Sequence, residues 1–169
     1  MSGRYMAYVG SYSYTGKAKG ITVFDVDVEK GTFKERCEME VNNSSYVIAS
    51  SDGKTLYSIA DEGVVSFRIL QNGALARLNS APIRGMRGCH LCSDLEDKFI
   101  FVSGYHDGKT TILSLNKDGS VGGIVDGVYD KGYGSVAERN FRPHVTCTRR
   151  MPDNKYVLSV DNGVDQVKI

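Results

Sequence analysis

The sequence has 169 residues, a net charge of +1 and three histidines. So small a net charge gives no electrostatic reason to expect binding to nucleic acid or to an anionic membrane. No apolar stretch approaches the roughly 18 residues of a membrane span, and the first residues lead into a strand rather than a signal peptide. We therefore expect a cytoplasmic protein with neither a nucleic-acid nor a membrane partner.

The first predicted element is a leading blade over residues 5–40, with strands at 5–12, 20–26 and 32–38. These segments are rich in Val, Ile, Tyr, Phe and Thr, and glycine-containing turns separate them. That pattern is typical of short antiparallel strands. Since no segment with helical periodicity competes with it, the predicted fold class is all-β.

Three later segments repeat one strand-turn-strand unit, with an acidic turn residue at positions 52, 96 and 153. They predict a second blade over residues 44–81, a third over 88–125 and an incomplete fourth over 143–169. The spacings of 44 and 57 residues fit the period of β-propeller blades, because every element in the repeat is a short strand. Each blade is expected to be a four-stranded antiparallel sheet.

The number of copies predicts an incomplete ring. Closed propellers contain about four to eight blades, and this sequence supplies only three to four of them. Part of a ring leaves apolar blade faces and strand edges uncovered. We therefore expect self-association through the exposed blade edges unless further blades complete the ring.

The four cysteines lie in or beside predicted strands. Cys89 and Cys92 have the C-x2-C spacing that can begin a zinc site. However, a regular strand points residues 89 and 92 to opposite faces, and no second pair occurs at ligand spacing. We therefore predict buried cysteines, no metal and no cofactor.

Candidate functional residues lie where the inner strands begin, because these strands line the central channel of a propeller. The repeat aligns Tyr46, His90 and His144 near this position. When the alignment starts from the acidic turn residue, Thr146 or Cys147 takes the place of His144. Each histidine could bind or react with a ligand, or could simply cap backbone groups between blades.

An extra segment over residues 126–142 precedes the last copy of the repeat, and we predict it to be a loop at the mouth of the channel. It contains Glu138, Arg139 and Arg142 and leads directly to His144. Arginine can hold a carboxylate or phosphate through two parallel hydrogen bonds. A long insertion of this kind is typical of a binding loop, and the alternative is a solvated surface loop.

Several pieces of sequence occur in a fixed order along the chain. They are Tyr8-Val9-Gly10-Ser11-Tyr12, Lys19-Gly20-Ile21-Thr22-Val23-Phe24-Asp25, Ser45-Tyr46, Ser51-Asp52-Gly53-Lys54, Cys89-His90-Leu91 and Glu138-Arg139-Asn140 followed by Pro143-His144. This ordered set resembles the lactonase-type seven-bladed propeller family, which includes one type of 6-phosphogluconolactonase. The resemblance implies the N-terminal half of such a protein. In that family a strand from the C-terminal end closes the first blade.

The resemblance implies hydrolysis of a lactone, most simply a sugar lactone, and a small-molecule lactone or sugar acid as ligand. The implied site residues are His144, Arg139 and Glu138 as catalytic residues, and His90, Arg142 and Tyr46 as substrate-binding residues. His144 would be the base that activates water, Arg139 would hold a phosphate or carboxylate, and Glu138 would orient one of them.

One departure from the family pattern bears on activity, because Thr146 stands where family members have a second histidine. Threonine is not a base near neutral pH. Two alternatives therefore stay open: a non-catalytic propeller that binds a sugar acid or a protein partner, and a muconate-lactonising enzyme on the same fold. We expect activity from a complete ring rather than from the 169-residue chain alone.

Overall fold

The computed structural model describes residues 4–136 and 141–169, which form strands joined by turns and loops. The strands are β1 (Arg4–Gly10), β2 (Gly20–Asp27), β3 (Thr32–Glu40), β4 (Val47–Ala49), β5 (Thr55–Ala60), β6 (Gly63–Ile69), β7 (Leu75–Pro82), β8 (His90–Ser93), β9 (Phe99–Gly104), β10 (Lys109–Leu115), β11 (Val121–Tyr129), β12 (Val145–Arg150), β13 (Val157–Asp161) and β14 (Gln166–Lys168). Within these two ranges, no helix is long and apolar enough to cross a bilayer. The structure confirms the all-β class.

The strands form four antiparallel sheets, and each sheet is one blade. The first blade contains β1 to β3, the second β4 to β7, the third β8 to β11 and the fourth β12 to β14. Strands that follow one another in the chain are neighbours in every sheet, which is the meander expected of propeller blades. The innermost strands β4, β8 and β12 contact one another in that order.

The turn that joins the two innermost strands is the same in the last three blades. One residue in each has a left-handed backbone, with φ of 68° at Gly53, 50° at Asp97 and 58° at Asn154. Its N–H donates to the carbonyl three residues earlier, at 3.0, 3.3 and 3.0 Å. Gly, Asp and Asn are the residues that tolerate this conformation best. The acidic residues of the sequence repeat directly precede these three positions, so the repeat reflects one recurring backbone turn.

Apolar side chains fill the space between the first three blades. One cluster joins the first and second blades and consists of Ile21, Val23, Val41, Leu56, Val65, Phe67 and Leu75. The other joins the second and third blades and consists of Tyr57, Ile59, Val64, Ala81, Ile83, Leu91, Ile100, Val102, Leu113 and Val121. Complete burial of one such side chain contributes about 1.5–3 kcal/mol, so these two clusters dominate the packing.

β1 corresponds to the second strand of a blade rather than to the innermost one. The hydroxyl of Tyr8 in β1 donates to the carbonyl of Gly73, in the turn between β6 and β7, at 2.9 Å. The equivalent turn of the third blade places Gly119 against Thr55, which begins β5, the second strand of its blade. In the part of the chain that the structure describes, no strand pairs with the other edge of β1.

The predicted loop over residues 126–142 begins too early. Residues 126–129 belong to β11, since Asp126 pairs with Ile112 and Tyr129 pairs with Lys109. β11 is the outermost strand of its blade and is exposed along most of its length. An exposed strand needs no apolar alternation, so its Asp-Gly pair resembled a turn in the sequence. The connection to β12 therefore starts at Asp130.

Candidate functional site

Tyr46, His90 and Cys147 form a row across the inner walls of three successive blades. The rings of Tyr46 and His90 lie 4.6 Å apart between centroids. Nε2 of His90 lies 3.6 Å from Sγ of Cys147. The structure therefore brings Tyr46 and His90 together as the repeat predicts, and it selects Cys147 as their counterpart in the fourth blade, in agreement with the alignment from the acidic turn residues.

His90 is buried, and both of its ring nitrogens contact the fourth blade. The backbone N–H of Thr148 donates to Nδ1 at 3.4 Å, so Nε2 carries the proton of the neutral ring and points it at Cys147. Burial, and to a lesser extent the positive charge of Arg149, lowers the pKa of His90 below its usual value. A neutral imidazole with both nitrogens engaged fits a structural contact between blades as well as a binding role.

The cysteines are placed differently from the prediction. Cys89 precedes β8, so the alternation of a regular strand does not govern its direction. The Cys89 thiol lies 3.4 Å from the carbonyl of Val145, and the Cys92 thiol accepts the N–H of Arg150 at 3.4 Å. Both thiols therefore face the fourth blade. No group of three or more His, Cys, Asp or Glu side chains among residues 4–136 and 141–169 is arranged to hold a metal ion.

His144 occupies a separate position, just before β12, where its backbone and its ring are both fixed. Its N–H donates to Oδ1 of Asp161 at 2.7 Å, and its carbonyl accepts the N–H of Asn162 at 3.1 Å. Its ring stacks on Tyr105, with centroids 4.3 Å apart and planes inclined by 14°. Nδ1 donates to the carbonyl of Tyr105 at 2.9 Å, which assigns the lone pair of the neutral ring to Nε2.

Arg142 is exposed beside His144. Its guanidinium lies 5.7 Å from the ring centroid of Phe141, and the Phe141 ring meets that of His144 edge-on at 6.4 Å. Phe141 therefore contacts both the guanidinium of Arg142 and the imidazole of His144. Glu138 and Arg139, the other predicted catalytic residues, lie outside the described residues.

The two predicted histidines do not form one pair. Throughout residues 4–136 and 141–169, no hydrogen bond or ring contact joins His90 to His144. The reason is a β-bulge in β12: Val145 pairs with Asp161 and Cys147 pairs with Val160, so Thr146 is an extra residue. The bulge and the connection before β12 place His144 outside the row formed by Tyr46, His90 and Cys147.

Thr146 itself faces the neighbouring strand of its own blade. Its hydroxyl donates to the carbonyl of Val160 at 3.2 Å, and the side chain is only partly exposed. The position that holds a second histidine in the resembling family therefore carries a hydroxyl with a structural partner here.

Sequence reasoning missed two residues that hold His144 in place, Tyr105 and Asp161. Tyr105 follows β9 and Asp161 ends β13, so both lie at the end of the blades where β12 begins. Both lie where the second strand of a blade ends, a position that the second blade fills with Ala60 and Asp61. A polar or aromatic residue at the end of a second strand is the signal that could have identified them.

Chemically, the arrangement around His144 offers an imidazole whose Nδ1 is engaged by the carbonyl of Tyr105, with an exposed guanidinium on the neighbouring Phe141 ring. That combination suits proton transfer near a bound anion. The row around His90 offers no comparable acceptor, because its ring nitrogens already face Thr148 and Cys147. The candidate functional site is therefore the end of the blades at His144, Tyr105, Phe141 and Arg142.

Comparisons with known proteins bear on this site. A family model described as "Lactonase, 7-bladed beta-propeller" matches residues 6–169. The 6-phosphogluconolactonase of Bacillus subtilis is 32% identical over 170 residues, which cover 97% of this chain and 48% of that protein. A candidate 6-phosphogluconolactonase of Bacteroides fragilis, known from a crystal structure, has a TM-score of 0.90 and 34% identity, and covers 97% of this chain and 47% of that one.

A more distant structure, the periplasmic gluconolactonase of Pseudomonas aeruginosa, shares the fold with a TM-score of 0.88 at 22% identity, over 97% of this chain and 48% of that one. The chain spans about half the length of the curated relatives it matches. The match of the family model over residues 6–169 agrees with the four blades of the structure. The chain belongs to the lactonase family of seven-bladed β-propellers.

Proposed function

We propose that the protein containing this chain hydrolyses a lactone, and that the substrate is a sugar lactone of the 6-phosphogluconolactone type. The observation that carries the proposal is the hydrogen bond from Nδ1 of His144 to the carbonyl of Tyr105 at 2.9 Å. It leaves Nε2 as the acceptor nitrogen of the neutral ring, which is the form that a general base requires. Membership of the lactonase family supports the reaction class.

In this reaction the imidazole takes a proton from water while the water oxygen adds to the lactone carbonyl carbon. The ring C–O bond then breaks, and the departing oxygen takes a proton, so that the product is a hydroxy acid. His144 would carry the proton between these two steps. The reaction needs no metal-bound water if the lactone is already an activated ester.

The charged end of the substrate would be held by arginine. Arg142 is exposed, and its guanidinium contacts the same Phe141 ring that contacts His144. Arg139 precedes Arg142 by three positions. Guanidinium groups bind phosphate and carboxylate with well-defined geometry, which favours a phosphorylated sugar lactone. The name of the Bacillus subtilis relative supports the same substrate class. We keep Glu138 as the residue that orients Arg139, and His90 and Tyr46 as further binding residues.

A second candidate function is non-catalytic binding of a sugar acid. It is favoured by Thr146, whose hydroxyl donates to the carbonyl of Val160 and cannot act as a base. It is also favoured by the burial of His144, which is only 7% exposed. In this case the arginines would hold the acid and no water would be activated.

The experiment compares the protein produced by the native gene with a His144→Ala variant, on 6-phosphogluconolactone, on the unphosphorylated lactone and on a muconolactone. Loss of a general base lowers kcat by about 100-fold. The matched control is His106→Ala, since His106 is exposed and lies in the same loop as Tyr105. Arg139→Ala is expected to raise KM about tenfold on the phosphorylated substrate alone.

Hydrolysis faster than the spontaneous rate, lost in His144→Ala and kept in His106→Ala, supports the lactonase. Binding of the sugar acid without turnover supports the second candidate and contradicts the first. If turnover is unchanged in His144→Ala, a residue other than His144 acts as the base.

We also propose a cytoplasmic location and self-association through exposed blade edges, of which the outer edge of β1 is one. No strand among residues 4–136 and 141–169 pairs with the outer edge of β1, which supports the second proposal. Cell fractionation measures the location, and sedimentation of the 169-residue chain measures association. A chain that stays monomeric argues against the free edge as a contact.

A further inference from the structure

A pair of buried carboxyl groups lies behind His144. Asp161 ends β13, and Asp130 follows β11 at the start of the connection to β12. Oδ1 of Asp161 accepts two backbone N–H groups, from His144 at 2.7 Å and from Gly163 at 2.8 Å. The side chains of Asp161 and Asp130 are 0% and 5% exposed. Two carboxyl groups are rarely buried together without a specific arrangement.

Lys168 in β14 completes the arrangement. Its Nζ lies 2.8 Å from Oδ2 of Asp130 and 4.0 Å from Oδ2 of Asp161. One cation next to two buried carboxyl groups leaves one negative charge in excess if both are ionised. Protonation of either carboxyl group would remove that excess.

The pKa values of the two groups move apart, as expected for such a pair. Burial raises the pKa of Asp130, and the neighbouring Asp161 raises it further. Burial also acts to raise the pKa of Asp161, but its hydrogen bonds from the N–H of His144, from Asp130 and from the N–H of Gly163 lower it overall. The pKa of Asp130 is therefore raised and that of Asp161 lowered, because the two buried carboxyl groups have different hydrogen-bond surroundings.

We propose that Asp161 is a positioning residue for His144, and that Asp130 and Lys168 hold Asp161 in the orientation that this requires. Asp161 ends β13, Asp130 follows β11, and Lys168 lies in β14. The three side chains therefore fix the backbone of His144 against three separate elements. The part of the proposal that concerns turnover rests on the proposed function of His144.

Gly163 allows the turn after β13 to lie close to the residues before β12. A Cβ at this position would lie 2.6 Å from the backbone nitrogen of His144 and would overlap the carbonyl of Arg142. The turn after β13 can therefore contact the residues before β12 directly only if residue 163 has no side chain. The contact and the carboxyl pair act on the same short stretch of backbone, residues 142–144.

A displacement of the general base by about 1 Å can cost about 100-fold in rate, so a positioning residue has a measurable effect without touching the substrate. Removal of Asp161 frees the N–H of His144 and moves the ring relative to the water it activates. Asp161 accepts from the N–H groups of His144 and Gly163 rather than from Arg142, so substrate binding is expected to change less than proton transfer. The expected signature is a loss in kcat with little change in KM.

The test uses four variants of the protein produced by the native gene. Asp161→Val and Asp130→Leu remove the arrangement from either side. Asp161→Asn keeps an oxygen that accepts the N–H of His144, and Asp130→Asn keeps the size of the side chain and an oxygen that can accept from Lys168, so these are the matched controls. Hydrogen exchange of the His144 amide, followed by mass spectrometry or NMR, reports the contact without any substrate.

The proposal predicts that Asp161→Val and Asp130→Leu each speed exchange of the His144 amide about tenfold and lower kcat about tenfold, with KM within about threefold. Both asparagine variants should stay within about threefold of the parent protein on both measurements. If Asp161→Val does not fold, Asp130→Leu and the asparagine controls decide the matter.

Unchanged exchange at His144 in the removal variants overturns the proposal. Faster exchange with unchanged kcat, in a protein that hydrolyses the lactone, overturns the positioning role and leaves the proposed function intact. A parent protein without hydrolytic activity contradicts the proposed function instead, and the exchange measurement then still decides whether Asp161 fixes His144.

Discussion

Two neighbouring contacts between blades are built from different kinds of side chain. The second and third blades meet through aliphatic and aromatic groups such as Ile59, Leu91 and Ile100, all fully buried. The third and fourth blades meet through hydroxyl groups. Ser103 donates to Thr148 at 2.8 Å, and Thr110 lies 3.2 Å from the same hydroxyl.

The difference between these two contacts shows which of them fixes the orientation of the side chains. Apolar contacts stabilise in proportion to buried area and constrain direction weakly, whereas hydrogen bonds fix both distance and direction. The imidazole of His90 and the thiol of Cys147 belong to the hydrogen-bonded contact, and His144 stands at its end. The candidate site lies on the contact that sets orientation, and the apolar contact beside it supplies most of the stability.

The largest effect is expected at the apolar contact. Leu91→Ala should lower the free energy of unfolding by about 3 kcal/mol, because it removes a fully buried side chain and leaves a cavity. The volume-conserving Leu91→Met should cost less than about 1.5 kcal/mol. Denaturant unfolding of the two variants measures both values. Equal losses would show that shape, rather than buried area, governs this contact.

A smaller effect is expected at the hydrogen-bonded contact. Thr148→Val keeps the shape of the side chain but leaves the Ser103 hydroxyl without its acceptor, which should cost about 1–2 kcal/mol. The double variant with Ser103→Ala should cost less than the sum of the single variants, since neither group then lacks a partner. Denaturant unfolding of all three proteins completes the cycle, and strict additivity would contradict a coupled contact.

The smallest effect is a change with pH that comes from His90. Its pKa is lowered in the folded protein, so the unfolded chain takes up a proton first as the pH falls below the usual histidine value. The stability that neutral His90 provides is therefore present at higher pH and is lost as the pH falls toward the lowered pKa. His90→Gln does not titrate in this range.

The measurement is the difference in unfolding free energy between the parent protein and His90→Gln, followed from about pH 7.5 to about pH 5.5. The advantage of the parent protein should shrink as the pH falls. A difference that stays constant or grows would mean that His90 is not held neutral by burial against the fourth blade.

The fold was predictable to the level of single turns because its signals are local. The acidic residues at positions 52, 96 and 153 mark a turn whose next residue needs a left-handed backbone, and the residue types there tolerate it. The boundary at residue 126 was wrong because an exposed outer strand carries no alternation. Local rules succeed where local sterics decide and fail where exposure removes the pattern.

The site was less predictable because its contacts join distant parts of the chain. The pairing of Tyr46 with His90 followed from the repeat, since equivalent positions of adjacent blades are neighbours. Tyr105 and Asp161 lie 39 and 17 residues from His144 and occupy positions that the other blades use differently. Nothing local in the sequence states that these residues meet, so only the arrangement of the blades reveals it.

The extra residue in β12 has a consequence for how this strand can change. Without Thr146, Val145 and Cys147 would follow one unbroken pairing with β13 and would keep their present partners, Asp161 and Val160. A one-residue deletion here would therefore remove the Thr146 hydroxyl and its hydrogen bond to the carbonyl of Val160, while leaving Val145 and Cys147 in register with β13. Residue 146 is therefore a position at which β12 can gain, lose or exchange a side chain without any shift of its register against β13.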